Sequence, residues 1–196
     1  MPWQQVGEFW GYGDRSPRFV VLVDSLFQLR STAGWFDVSM LVYYCLIDAL
    51  AIPSMVVAMP GARARRGDYR RMDMACQGAS VDALLVISMG NDLLQGCVGV
   101  GAVAVELSAI QSMFPCVSMV YGGSASIWGY TNADYDKLVA SICARLCCRD
   151  GSAELEGVQI GDAIGHLRPA SAGQLCDAVV TWARAAMARV PIRARL

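Results

Sequence analysis

Short, continuously apolar runs alternate along the chain with longer stretches in which apolar residues recur at helical spacing. The runs are "RFVVLV" (18–23), "PSMVVAM" (53–59), "DALLVISM" (82–89) and "PCVSMVYGG" (115–123), with "EGVQIGD" (156–162) as a shorter fifth. Their length and their content of Val, Ile and Leu predict strands. Between them, "WFDVSMLVYYCLIDALA" (35–51), "DYRRMDMACQGA" (68–79), "GVGAVAVELSAIQSMF" (99–114), "NADYDKLVASICARLCC" (132–148) and "ASAGQLCDAVVTWARAAMARV" (170–190) predict helices. Asp24-Ser25 ends the first run, and the chain after it turns toward a helix-like pattern.

Strands that alternate with helices form βαβ units, which build a parallel sheet covered on both faces. The runs lack the polar alternation of a half-exposed strand, as doubly covered strands should. The prediction is an α/β fold with right-handed crossovers. Residues 18–196 form one domain, and residues 1–17 form an N-terminal arm. The arm, rich in Trp and Phe, either packs on the domain or meets a partner. No internal repeat, low-complexity tract or linker divides the chain.

Open α/β sheets bind ligands at the carboxyl ends of their strands. The residues just after each predicted strand are Asp24-Ser25, Gly61, Gly90-Asn91-Asp92, Gly122-Gly123 and the segment from Asp162 to His166. Together they hold the parts of a serine nucleophile site: a hydroxyl, a base, a group to orient the base, and donors for an oxyanion. Ser25 supplies the hydroxyl and its own backbone N–H. Gly61, without a side chain, lets its N–H approach a substrate closely. Asn91 offers a neutral NH₂ donor. His166, the single His of the chain, is the base, and Asp162 can accept its Nδ1–H. Each residue also has a plainer reading. Asp24-Ser25 caps a following helix, Gly61 and Asn91-Asp92 belong to turns, and a lone His is structural. Their joint placement at four strand ends favours chemistry.

These segments resemble the SGNH, or GDSL-type, serine hydrolases. That family carries a Ser, a Gly, an Asn and a His in this order. Here they fall in Val23-Asp24-Ser25-Leu26, "AMPGARA" with Gly61, "SMGNDLL" with Asn91, and "DAIGHLRPASAG" with His166. Val23 stands where the family usually has glycine. Gly90 and Asn91 are adjacent, without the usual intervening residue. Asp162 lies four residues before His166 rather than three. The resemblance spans roughly residues 18–190. It implies a three-layer, flavodoxin-like fold with a five-stranded parallel sheet in the order 2-1-3-4-5. It also implies Ser25 as nucleophile, His166 as general base, and Asp162 as its orienting acid. Ser25 N–H, Gly61 N–H and the Asn91 side chain would form the oxyanion hole. The implied activity is hydrolysis of a small or medium carboxylic ester through an acyl-enzyme, with no metal or cofactor.

Other features refine this reading. "GARARRGDYRR" (61–71) places five Arg beside Gly61. It is either a solvated loop and helix start, or a clamp in which Arg63 and Arg65 bind an acidic substrate group. "YGGSASIWGY" (121–130) is a substrate lip carrying Trp128, or a long connection. Asp24 is a further candidate for substrate contact. The glycines from 96 to 101 are not a dinucleotide fingerprint, because no acidic ribose partner follows at the required distance.

Composition sets outer limits. The 196 residues suit one domain with a full core. With 55% hydrophobic and 17% charged residues, disorder is not expected, and a net charge of −1 argues against general nucleic-acid binding. No apolar stretch reaches the ~20 residues of a membrane span, and no basic start with an apolar core marks a signal peptide. The expectation is a cytoplasmic protein acting on a small ester, with a protein partner as a further option. The eight Cys include no CxxC pair, so free thiols are expected rather than a zinc site or a disulfide framework. Two other classes stay open: an inactive module of the same fold that binds or scaffolds, and a flavodoxin-like phosphate or nucleotide binder, disfavoured by the missing P-loop.

Overall fold

A computed structural model describes residues 4–6, 9–14, 17–24, 28–31, 34–59, 61–62, 68, 81–87, 105, 108, 118–122, 140–141, 143–145, 149–150 and 169–188. Nine strands and two helices have described bounds, and residues 68, 105, 108, 140–141 and 143–145 are helical as well. In chain order the strands are β1 (Gln4–Val6), β2 (Phe9–Gly13), β3 (Phe19–Val23), β4 (Gln28–Ser31), β5 (Gly34–Asp37), β6 (Ser54–Ala58), β7 (Ala83–Ile87), β8 (Ser118–Gly122) and β9 (Arg149–Asp150). Helix α1 covers Ser39–Leu50, and α2 covers Ala172–Ala188 behind a 3-10 turn at Pro169–Ser171.

Seven strands form one sheet in the order β1-β2-β6-β3-β7-β8-β9. From β6 to β9 all neighbours are parallel. The apolar runs expected as strands one to four are β3, β6, β7 and β8, and they stand in the order 2-1-3-4. The fifth place goes to Arg149–Asp150, earlier in the chain than the expected strand 156–162, which lies outside the described residues. The sheet is also wider than five strands. The N-terminal segment folds into the β1–β2 hairpin, and β2 lies antiparallel along β6. Its aromatic residues suit a strand added to an edge.

Residues 19 to 23 show why the runs are unbroken by polar residues. Phe19, Val20, Val21, Leu22 and Val23 are all fully buried, although successive side chains point to opposite faces. On one face Phe19, Val21, Val23, Val56, Ala58, Ala83 and Leu85 pack with Val42 and Leu46 of α1 and with Leu175, Val179 and Trp182 of α2. On the other, Val20, Leu22, Val57, Leu84 and Val86 are equally buried. Both faces are therefore covered, as a parallel sheet requires.

Helix α1 starts later than expected. Trp35, Phe36 and Asp37 lie in β5, which pairs with β4 as a separate hairpin. The aromatic pair prefers an extended backbone, and Gly34 opens the strand. Met40, Leu41 and Tyr44 on α1 are exposed, so its apolar positions run round more of the helix than its buried face. That blurs the boundary a periodic reading depends on. Ala51 ends the helix in the left-handed region (φ 51°, ψ 34°), with its N–H bonded to Ile47 O. The closing helix matches its expected span to within two residues at each end. No described helix is long and apolar enough to cross a membrane.

The amino ends of the central strands are tied by polar contacts. Arg18 forms an ion pair with Asp82, and its carbonyl accepts from Asp82 N and Ala83 N. Asp14 donates its N–H to Ser54 O (2.9 Å), while its carboxylate accepts from Ser54 N (3.0 Å) and more weakly from Tyr43 Oη (3.4 Å). Burial, and then the Asp14 charge, raises the Tyr43 phenol above its usual range.

Two substitutions test these features. Gly13 has φ 145°, and a Cβ there would meet Ser54 O and come within 2.7 Å of Met55 Cα. Gly13→Ala is expected to destabilise the fold by about 1–3 kcal/mol, measured by urea unfolding. Ala51→Gly relieves the left-handed strain at an exposed helix end and should stabilise by about 1 kcal/mol in the same measurement.

Candidate active site

The parallel ladders bring four strand ends level. Ala58 pairs with Val23, Val23 with Ile87, and Ile87 with Gly122. These four residues form one row at the carboxyl edge of the sheet. Among the described residues, Asp24 continues from Val23 in this row, and the Gly61 turn follows Ala58 through Met59.

Two of the candidate residues are described. Asp24 directly follows β3 and is only 4% exposed. Gly61 lies in the turn after β6. Met59 N–H donates to Val23 O (2.9 Å), carrying the β3–β6 ladder one residue past the end of β6. Ala62 N–H then donates to Met59 O (3.0 Å) and closes a tight turn. Gly61 sits third in that turn with φ 74°, the conformation that a type II turn requires there and that glycine adopts without strain. Among the described residues a Cβ at Gly61 would meet nothing within 4 Å, and the positive φ accounts for glycine. The plainer reading of Gly61 as a turn residue is thus correct as far as it goes, and the turn is anchored to the strand that ends in Asp24.

The capping role considered for Asp24-Ser25 concerns residues 25–27, which lie outside the described residues. The next described element is the strand β4, and α1 begins at Ser39 behind Val38, with no side-chain cap. Ser25, Asn91, Asp162, His166, Arg63, Arg65 and Trp128 lie outside the described residues.

Sequence reasoning passed over one residue. Asp68 is helical and fully buried, seven positions after Gly61 within the Arg-rich stretch. A buried carboxylate persists only with hydrogen bonds or opposite charge around it. The helical Asp68 fits the helix start expected within 61–71, and its burial does not fit a solvated segment. The signal was a single acid amid five Arg, which resembles ordinary surface charge. Among the described residues no group of three His, Cys, Asp or Glu could hold a metal ion.

No family model and no curated protein matches the sequence. Solved structures do. A protein from Agrobacterium tumefaciens assigned as an arylesterase aligns with 86% of this chain and 99% of its own, with a TM-score of 0.63 and 14% identity. A carbohydrate esterase family 2 enzyme from Corynascus thermopiles, solved with a carbohydrate-binding domain, aligns with 88% of this chain and 68% of its own (TM-score 0.64, 15% identity). A protein from Slackia heliotrinireducens assigned as an SGNH hydrolase aligns with 88% of this chain and 99% of its own (TM-score 0.58, 17% identity). At such identities the likeness establishes the fold. The chain has the α/β fold of the SGNH hydrolases.

Proposed function

We propose that the protein is a serine esterase cleaving a small or medium carboxylic ester, with Ser25 as nucleophile and His166 as general base. The observation that carries this reading is the level row Ala58–Val23–Ile87–Gly122, from which the sequence continues into Asp24-Ser25, Gly61 and Gly90-Asn91. The names of the similar structures support the same reaction class, since an arylesterase and a carbohydrate esterase both act on carboxylic esters.

In this mechanism His166 removes the Ser25 proton as Oγ attacks the ester carbonyl. The Ser25 and Gly61 backbone N–H groups and the Asn91 amide receive the charge that develops on the carbonyl oxygen. The alcohol leaves with the proton from His166. Water then attacks the acyl-enzyme by the same route and releases the acid. Asp162 orients the imidazole. Arg63, Arg65 and Trp128 follow the carboxyl edge in sequence and are assigned to substrate contact, the arginines toward an acidic group and Trp128 toward a sugar or acyl chain. Asp24, buried directly after β3 and next in sequence to Ser25, is kept as a candidate for substrate contact.

A fluorophosphonate probe and p-nitrophenyl acetate test the assignment directly. Wild type should be labelled and turn over. Ser25→Ala should lose both, and His166→Ala should lower kcat by at least about a thousandfold. A folded wild type that neither labels nor hydrolyses any ester would sink the esterase reading in favour of an inactive binding module.

The oxyanion hole makes a separate prediction. Asn91→Ala should lower kcat by about 10²–10³-fold with little change in KM, measured by steady-state kinetics. An Asn91→Ala variant with wild-type kcat would remove Asn91 from the site.

A further inference from the structure

Two thiols meet in the seam between the helices that cover one face of the sheet. Cys45 lies on α1 and is partly exposed, while Cys176 lies on α2 and is 4% exposed. Cys176 belongs to the apolar cluster formed by the two helices and the sheet, and Cys45 packs against that cluster. Both are free thiols, and Cys45 lies close enough to Cys176 to bear on its ionisation. The esterase chemistry makes no use of either.

We infer that Cys45 and Cys176 form an oxidisable dithiol, a modification site that reacts with a small disulfide oxidant and closes into a bond between α1 and α2. The Cys45 thiolate attacks one sulfur of the oxidant, oxidised glutathione for example. A mixed disulfide forms and one glutathione thiolate leaves. The Cys176 sulfur, after losing its proton, attacks the Cys45 sulfur and expels the second glutathione thiolate. Both protein thiols are oxidised, the oxidant is reduced to two thiols, and the two protons end on the departing glutathiones.

Exposure sets the order of attack. Cys45 can be reached from solvent and Cys176 cannot. Burial pushes the Cys176 thiol up to about 12, with the Cys45 thiol and the Asp177 charge acting in the same direction. Only the thiolate attacks, so closure is the slower step. Val42 and Leu46, near Cys45 on α1, pack in the same cluster as Leu175 and Val179, near Cys176 on α2, so the two helices meet at this point. The bond would tie together two helices that are distant in sequence and restrict the unfolded chain through a long loop.

The test uses the full chain treated under native conditions with oxidised glutathione. Non-reducing peptide mapping should recover a Cys45–Cys176 linked pair, with an intact mass lower by two hydrogens. The thermal midpoint should rise by several degrees and return when dithiothreitol is added. Cys45→Ser and the packing-tolerant Cys176→Ala should each lose the link and the rise. Stable glutathione on Cys45 with no link to Cys176 in wild type would overturn the inference. So would a link that forms only in denaturant, or an equal rise in both variants.

Discussion

The double ladder of the central strand is the constraint on which the rest of the molecule depends. Phe19 to Val23 pair in parallel with β6 on one side and with β7 on the other, and all five side chains are fully buried. A strand that is apolar on both faces does not choose its own register. In a half-exposed strand a slip of one residue turns the apolar set toward water, whereas here either face would accept it. The register is held at the ends instead. Arg18 bonds to Asp82 and accepts from the start of β7, while Arg18 N and Phe19 N donate to Pro53 O. At the other end Met59 N–H donates to Val23 O. These contacts set the strand ends level and so give the loops beyond them a common origin.

Described contacts lie at both ends of the sheet. At the amino end, the ion pair, the Asp14 contacts and the backbone bonds tie the strands to one another. At the carboxyl end the chain leaves the sheet through a tight turn at Gly61 and a buried acid at Asp24. Open α/β sheets bind ligands beyond the carboxyl ends of their strands, the end that Asp24 and the Gly61 turn share. The helices α1 and α2 serve the scaffold. Their contacts with Phe19, Val21 and Val56 bury one face of the sheet, and Trp182 is the largest fully buried side chain among the described residues.

Much of this was legible in the residues, and the failures have definite causes. "RFVVLV", "PSMVVAM" and "DALLVISM" read as strands because nothing in them favours another state, and α2 read as a helix because Leu175, Cys176, Val179, Trp182, Ala183 and Ala186 recur at helical spacing. Residues 35 to 37 misled because Trp35 and Phe36 continue the apolar pattern of α1 while pairing in a hairpin. Arg149–Asp150 gave no strand signal at all, since a short edge segment is defined by its neighbour rather than by its own side chains. At the site, Gly61 was legible as a glycine that had to be glycine. Asp68 was not, because burial of a charge depends on what surrounds it.

The sequence by itself determined the kind of layer each segment could enter. Unbroken apolar runs demand cover on both faces, and helical spacing supplies the elements that provide it. These are local properties of side chains along one segment. Only the tertiary structure decided which strands lie side by side, that the N-terminal segment widens the sheet through β1 and β2, and that Asp24 and the Gly61 turn share one edge. It also brought Cys45 against Cys176. Each of these outcomes joins residues distant in the chain through pairing and packing, and no local pattern encodes a partner that is not local.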